Sequence, residues 1–197
     1  MEKQMLNNFE KRIKDLEKLN SSTYRRSIFT KRKEATKLCE LMIDNKVENI
    51  IEIGTCNGIA SALFSSIITG TVHTINTNNH EIKVANTIWK KLDIKNIIQY
   101  KGSSLDILPK ILNDVNNIGF IYVDGNHSSP YPMKEFEIIS SYNINECLVY
   151  FDDGPADGVL EAIKKFNLDQ LSDCSWMDQE NTLRAYKIFG EFKAELN

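Results

Sequence analysis

Nowhere in the 197 residues does an apolar run approach the ~18 residues that a membrane-spanning helix needs. The segment Met1 to Asn20 is charged throughout and lacks the apolar core of a secretory signal, so a cytoplasmic, membrane-free location is expected. The four cysteines, Cys39, Cys56, Cys147 and Cys174, form no C-x-x-C pair and no metal-ligand spacing with the three histidines. That pattern points to free thiols in a reducing compartment and away from a disulfide scaffold or a zinc site. Prolines number four and glycines nine, and no linker rich in Pro, Gly or Ser interrupts the chain. Internal repeats and low-complexity segments are also lacking, so one globular unit is the expectation for this length. Two nucleotide signatures are missing as well: the G-x-G-x-x-G of dinucleotide binders and the Walker pattern ending in Gly-Lys-Ser/Thr.

What is present is an ordinary globular composition, 42% hydrophobic and 26% charged. The net charge of −3 conceals an uneven distribution. Residues 1–37 carry eleven Lys/Arg against five Asp/Glu, whereas the remainder carries thirteen against twenty-two. The densest basic run is Arg25, Arg26, Lys31, Arg32, Lys33 and Lys37. A solvated helical face, a nucleic-acid patch and a cap over an acidic ligand cleft all remain open readings of that run.

Apolar residues Met5, Leu6, Phe9, Ile13, Leu16 and Leu19 recur at helical spacing and predict an amphipathic helix over 2–19. A second helix is expected over about 31–44. Residues 1–45 thus read as an N-terminal helical cap on a unit formed by 46–197. From residue 49 onward, short apolar runs and amphipathic stretches alternate. Strands are expected near 49–53, 72–76, 97–100, 118–123 and 147–151, and helices near 59–68, 80–91, 105–113, 132–141 and 156–167. The tail breaks the rhythm, because Cys174–Met177 and Leu183–Phe189 are both strand-like with no room for a helix between them. The expected fold class is α/β: a doubly wound, mostly parallel seven-stranded sheet with an antiparallel C-terminal hairpin and N-terminal helices.

The most informative stretch is Ile50-Ile51-Glu52-Ile53-Gly54-Thr55-Cys56-Asn57-Gly58. An apolar strand carrying one acid breaks into two glycines four apart and then into a helical pattern. Such a turn lets the backbone approach a ligand, and the acid suits a cationic ligand group better than a polyphosphate. In open α/β sheets ligands bind beyond the carboxyl ends of the strands. Those ends carry Gly54 and Gly58, then Asn76 and Asn78, then Gly102, Ser103 and Ser104, then Asp124, Gly125, Asn126 and His127, and finally Asp152 and Asp153. Three carboxylates and a histidine on one rim suit a hard cation such as Mg²⁺, with His127 as a general base. His73 and His80 have weaker claims, lying inside a strand and at the opening of a helix.

With these residues placed, the chain resembles the class I S-adenosylmethionine-dependent methyltransferases. Within them it is similar to the metal-dependent small-molecule O-methyltransferases of macrolide-sugar and catechol type. Four ordered segments carry the resemblance: Glu52-Ile53-Gly54-Thr55-x-x-Gly58, Gly102–Pro109, Val123–Ser128, and Phe151-Asp152-Asp153 with its following helix. A Rossmann-like sheet with an antiparallel seventh strand is implied. The resemblance also implies cofactor contacts from Glu52, Gly54, Thr55, Gly58, Asn76, Ser103, Ser104 and Asp124. It implies Mg²⁺ on Asp124, Asp152 and Asp153, and a catalytic His127. The chain departs from the family at three places. Asn76 stands where an acid usually binds both ribose hydroxyls, so Asn76→Asp is expected to tighten cofactor binding, a difference on the order of 1 kcal/mol. Ala60 replaces a frequent Ser, and Ser129-Pro130-Tyr131-Pro132 brings two prolines into the loop after the fourth strand.

The expected activity is methylation of an oxygen on a small-molecule acceptor. A metal-dependent hydrolase or lyase on the same scaffold and a non-catalytic nucleoside-binding module are the alternatives. Nucleic-acid methylation is not expected, since no Asn/Asp-Pro-Pro-Tyr/Phe element follows the fourth strand. The first helix, Met5 to Leu19, could pair with a second copy of the chain.

Overall fold

Five short runs rich in Ile, Val, Phe and Tyr form the parallel strands that the alternation predicts. The structure is a computed structural model that describes residues 2–19, 35–142, 147–152, 156–165 and 184–188. In chain order the elements are α1 (Glu2–Lys18), α2 (described over 35–44), β1 (Asn49–Ile53), α3 (Ile59–Phe64), β2 (Val72–Asn76) and α4 (Asn79–Lys91). They continue with β3 (Ile97–Lys101), α5 (Ser104–Asp114), β4 (Ile118–Val123), α6 (Tyr131–Ser141), β5 (Cys147–Phe151), α7 (Asp157–Lys165) and β6 (Arg184–Ile188). The sheet order is β3-β2-β1-β4-β5-β6, with β1 to β5 parallel. β6 runs antiparallel along β5, pairing Val149 with Tyr186. The other half of the expected hairpin, around Trp176, lies outside the described residues, so the described sheet has six strands.

Strand alternation builds two cores. Ile50, Phe120, Tyr122, Leu148 and Tyr150 face α1–α4, whereas Ile51, Ile121, Val123, Val149 and Phe151 face α5–α7. α1 buries Phe9, Ile13 and Leu16 to 1% exposure in the same cluster as the central strands. The apolar face that could have met a second copy is therefore engaged within the chain. No helix among the described residues is long and apolar enough to cross a membrane.

One boundary differs from expectation. The helix predicted over 59–68 ends at Phe64, because Ser65 and Ser66 turn their hydroxyls back onto the carbonyls of Ala62 and Leu63 at 2.9 and 2.6 Å. Such back-bonding competes with the helical ladder. The two prolines after β4 fit their places: Pro130 caps α6 and Pro132 occupies its first turn, where a missing N–H costs nothing.

The strand order reverses between β1 and β4, and there the chain is tightest. Gly54 has φ +101°, and a Cβ built on it would stand 1.9 Å from the carbonyl oxygen of Asp124. Gly54→Ala is therefore expected to cost at least about 3 kcal/mol, from both the positive φ and the collision. Urea unfolding measures it; an unchanged midpoint would show that β1 and β4 can part without penalty.

Candidate functional site

Each strand end is latched to its neighbour by backbone hydrogen bonds, which fixes a rigid rim. Gly54 and Thr55 donate to the Ile75 carbonyl at 3.0 and 3.2 Å, and Gly102 donates to Asn76 at 3.1 Å. On the other side Asp124 donates to Ile53 at 2.8 Å and Asp152 to Val123 at 2.9 Å. Above the rim opens a cavity of about 490 Å³. The β1 end contributes Ile53, Gly54 and Cys56, and the β2 end Ile75 to Asn78 together with Glu81 of α4. The β3 end gives Gly102, Ser103 and Ser104, the β4 end Asp124, Gly125 and Asn126, and α6 adds Tyr131 and Glu135.

Of the residues expected from the sequence to touch a cofactor, Gly54, Asn76, Ser103, Ser104 and Asp124 line this cavity. Glu52, Thr55 and Gly58 do not, and the structure gives each another task. Glu52 is fully buried behind the turn, where its Oε2 accepts from the hydroxyls of Ser61 and Thr74. Thr55 lies 2.6 Å from Thr74, and Gln99 Nε2 donates to Thr55 Oγ1 at 3.2 Å. Because Thr74 gives its own hydrogen to Glu52, the chain of donation runs from Gln99 through Thr55 and Thr74 to the carboxylate. Burial pushes the Glu52 carboxyl up to about 7, opposed by the bonds from Ser61 and Thr74. Gly58 has φ +74°, and the space its side chain would need is filled by Ala85 and Trp89 of α4. Trp89 Nε1 also donates to the Gly58 carbonyl at 2.8 Å. The second glycine of the motif therefore docks α3 onto α4.

At the third strand end Ser103 caps α5, accepting from Leu105 N at 3.3 Å. Ser104 donates its hydroxyl to Glu135 Oε1. Glu135 is 1% exposed, and its Oε2 has no partner among the described residues. Burial raises this carboxyl to about 7 as well, opposed by the Ser104 bond. Glu135 is not marked by any strand-end motif, but Pro132, Glu135, Phe136 and Ile139 form one buried stripe of α6 at helical spacing. An acid on such a stripe was the available signal. Cys56 and Tyr131 carry no such signal; their places come from the turn geometry and the proline-opened helix.

At the fourth strand end His127 Nε2 lies 3.6 Å from Asp124 Oδ1, both side chains being partly exposed. His127 stands beside the cavity's Asp124 and is not itself a lining residue. Asp152 is 2% exposed at the end of β5, and Asp153 lies outside the described residues. Among the described residues no group of three His, Cys, Asp or Glu side chains is placed to hold a metal ion. The field of the cavity is negative. The Cys56 thiol is pushed up first by desolvation, eased by Asn57 N–H, and then raised by the charges of Glu81, Asp124 and Glu52. A cationic ligand group is favoured there over an anionic one.

A family model described as O-methyltransferase matches residues 5–165. A search of curated protein sequences returned no significant match. Among solved structures, the chain is similar to an O-methyltransferase from Bacillus cereus in complex with S-adenosylhomocysteine. The identity is 15%, coverage is 92% of this chain and 89% of that one, and the TM-score is 0.62. It is also similar to the O-methyltransferase TomG of Streptomyces achromogenes, involved in tomaymycin synthesis and bound to S-adenosylmethionine. There the identity is 16%, coverage 93% and 90%, and the TM-score 0.63. An S-adenosylhomocysteine-bound methyltransferase from Podospora anserina gives 12% identity, coverage of 95% and 88%, and a TM-score of 0.67. At these identities the structural likeness establishes a shared fold.

The two buried carboxyls make stability depend on pH in a defined direction. Glu52 and Glu135 keep their protons in the folded chain up to about pH 7, whereas the unfolded chain releases them near the usual 4.5. Folding therefore retains protons between those limits, and their contribution to stability is lost as pH rises through that window and levels above it. For Glu52 the loss is at most about 3 kcal/mol. Glu52→Gln should flatten the fall between pH 5 and 8 and be the more stable protein at pH 8, as read from urea midpoints. A wild-type midpoint that rises steadily across the window would contradict this.

Proposed function

The chain belongs to the O-methyltransferase family, and from that premise we propose that it moves the sulfonium methyl of S-adenosylmethionine to an oxygen of a small-molecule acceptor. The observation that carries this reading is the cavity at the sheet's switch point, bounded by four parallel strand ends and by the carboxylates of Glu81 and Asp124. Its volume of about 490 Å³ suits a nucleoside-sized ligand, and its negative field suits a sulfonium. Gly54 lets the methionine end lie against backbone. The Asn76–Glu81 edge meets the ribose, and Ser103, Ser104 and Tyr131 wall the base.

Methyl transfer is a single in-line displacement, so holding the acceptor oxygen opposite the sulfur supplies most of the rate. The oxygen gains the methyl, the C–S bond breaks, and S-adenosylhomocysteine leaves. The acceptor's hydroxyl proton goes to His127, whose ring Nε2 lies 3.6 Å from Asp124 Oδ1. The cofactor supplies the reactive methyl; the protein supplies position, charge and a place for the proton. The Mg²⁺ expected on Asp124, Asp152 and Asp153 does not find a complete donor set in the described residues.

S-adenosylhomocysteine is expected to raise the melting temperature of the wild-type protein. His127→Ala should keep that shift and lower methyl transfer by roughly 10²–10⁴, the usual contribution of a general base. Turnover is read as S-adenosylhomocysteine release across a panel of catechols and sugar hydroxyls, with Mg²⁺ and with chelator. Loss of turnover but not of nucleoside binding on chelation would assign the ion to the acceptor. A protein that S-adenosylhomocysteine does not stabilise is not a methyltransferase of this kind.

A further inference from the structure

In open α/β sheets with a glycine turn after the first strand, an acid about twenty residues further on, at the end of the second strand, binds the ribose hydroxyls. That place is Asn76, and the structure shows its side chain engaged elsewhere. Asn76 Oδ1 accepts the backbone N–H of Asn78 at 3.0 Å, which fixes the orientation of the amide. The nitrogen is thereby turned to Glu81, and Nδ2 donates to Glu81 Oε2 at 2.9 Å. Glu81 is the third residue of α4, and Asn78 caps that helix by accepting from the N–H groups of His80 and Glu81 at 2.9 and 3.4 Å. A carboxylate in the first turn of a 13-residue helix is stabilised by the helix dipole. Glu81 lines the cavity, and among the described residues its Oε1 has no hydrogen-bond partner.

We propose that Glu81 is the ribose-binding acid of this protein, carried from the strand end to the start of α4 and held over the cavity by Asn76. A vicinal diol offers two O–H donors, and the remaining carboxylate oxygen of Glu81 has lone pairs to accept them with a charge assistance that a neutral amide lacks. Asn76 acts as a bracket: its amide steers one oxygen of Glu81 and leaves the other facing the ligand space. The proposal rests on the reading that a nucleoside fills the cavity, and it reverses one expectation from the sequence. An aspartate at position 76 would face Glu81 across the distance now spanned by a hydrogen bond, and two carboxylates there repel.

The test is calorimetry with S-adenosylhomocysteine and its 2′,3′-dideoxy analogue on the full-length wild type, Glu81→Gln, Asn76→Asp and the double variant. Wild type should lose at least about tenfold in affinity when the hydroxyls are removed. Glu81→Gln should bind S-adenosylhomocysteine about tenfold more weakly than wild type and scarcely distinguish the two ligands. Asn76→Asp alone should not tighten binding, whereas the double variant should recover both affinity and hydroxyl discrimination by returning one carboxylate to the strand end. Wild-type affinity and discrimination in Glu81→Gln would overturn the proposal and leave the methyltransferase reading standing. So would tighter binding by Asn76→Asp with Glu81 in place. A wild type that binds neither ligand overturns both.

Discussion

The close approach of Gly54 to the carbonyl of Asp124 sets the geometry on which everything above the sheet depends. With 1.9 Å available where a Cβ would be, the first and fourth strand ends sit as near to one another as backbone allows. The crevice at the switch point thereby acquires a floor made of main chain, whose hydrogen bonds to Ile53 and Ile75 run sideways along the rim. Side chains that line the cavity are placed by that floor. Asp124 follows the residue that pairs with Ile53, and Asn76 follows Ile75, which accepts from the glycine turn. A loosened turn would displace both walls together.

Beneath that floor the protein keeps a polar interior that it does not present to ligand. Glu52, Ser61, Thr74, Thr55 and Gln99 tie β1, α3, β2 and β3 together by side-chain bonds across what is otherwise apolar packing. A buried carboxyl is costly unless its oxygens are bonded; two hydroxyls converge on Glu52 Oε2 here, while Oε1 has no partner among the described residues. The reward is directional: hydrophobic packing tolerates sliding, whereas converging donors specify one register between helix and strand.

Much of the fold was legible because buried strands announce themselves. β1, β2, β4 and β5 are short apolar runs that stop at Asn76 or just before Gly54, Asp124 and Asp152. The early end of α3 was not legible, since whether Ser65 and Ser66 face water or turn back on the helix depends on tertiary burial. At the site, motif spacing identified which strand ends converge but not which side of the wall each residue takes. Gly58 illustrates this: its missing side chain is spoken for by Trp89, thirty-one positions along the chain. Glu81 and Glu135 reach the cavity from helices, and a helix-borne acid is placed by packing angles that no local pattern encodes.

Cys56 lines the same cavity as the residues that would meet a sulfonium, and a thiolate there would be the strongest nucleophile within reach of an activated methyl. Desolvation and the surrounding carboxylates hold the thiol in its protonated form. The carboxylates that line the cavity thus also disfavour a thiolate at Cys56.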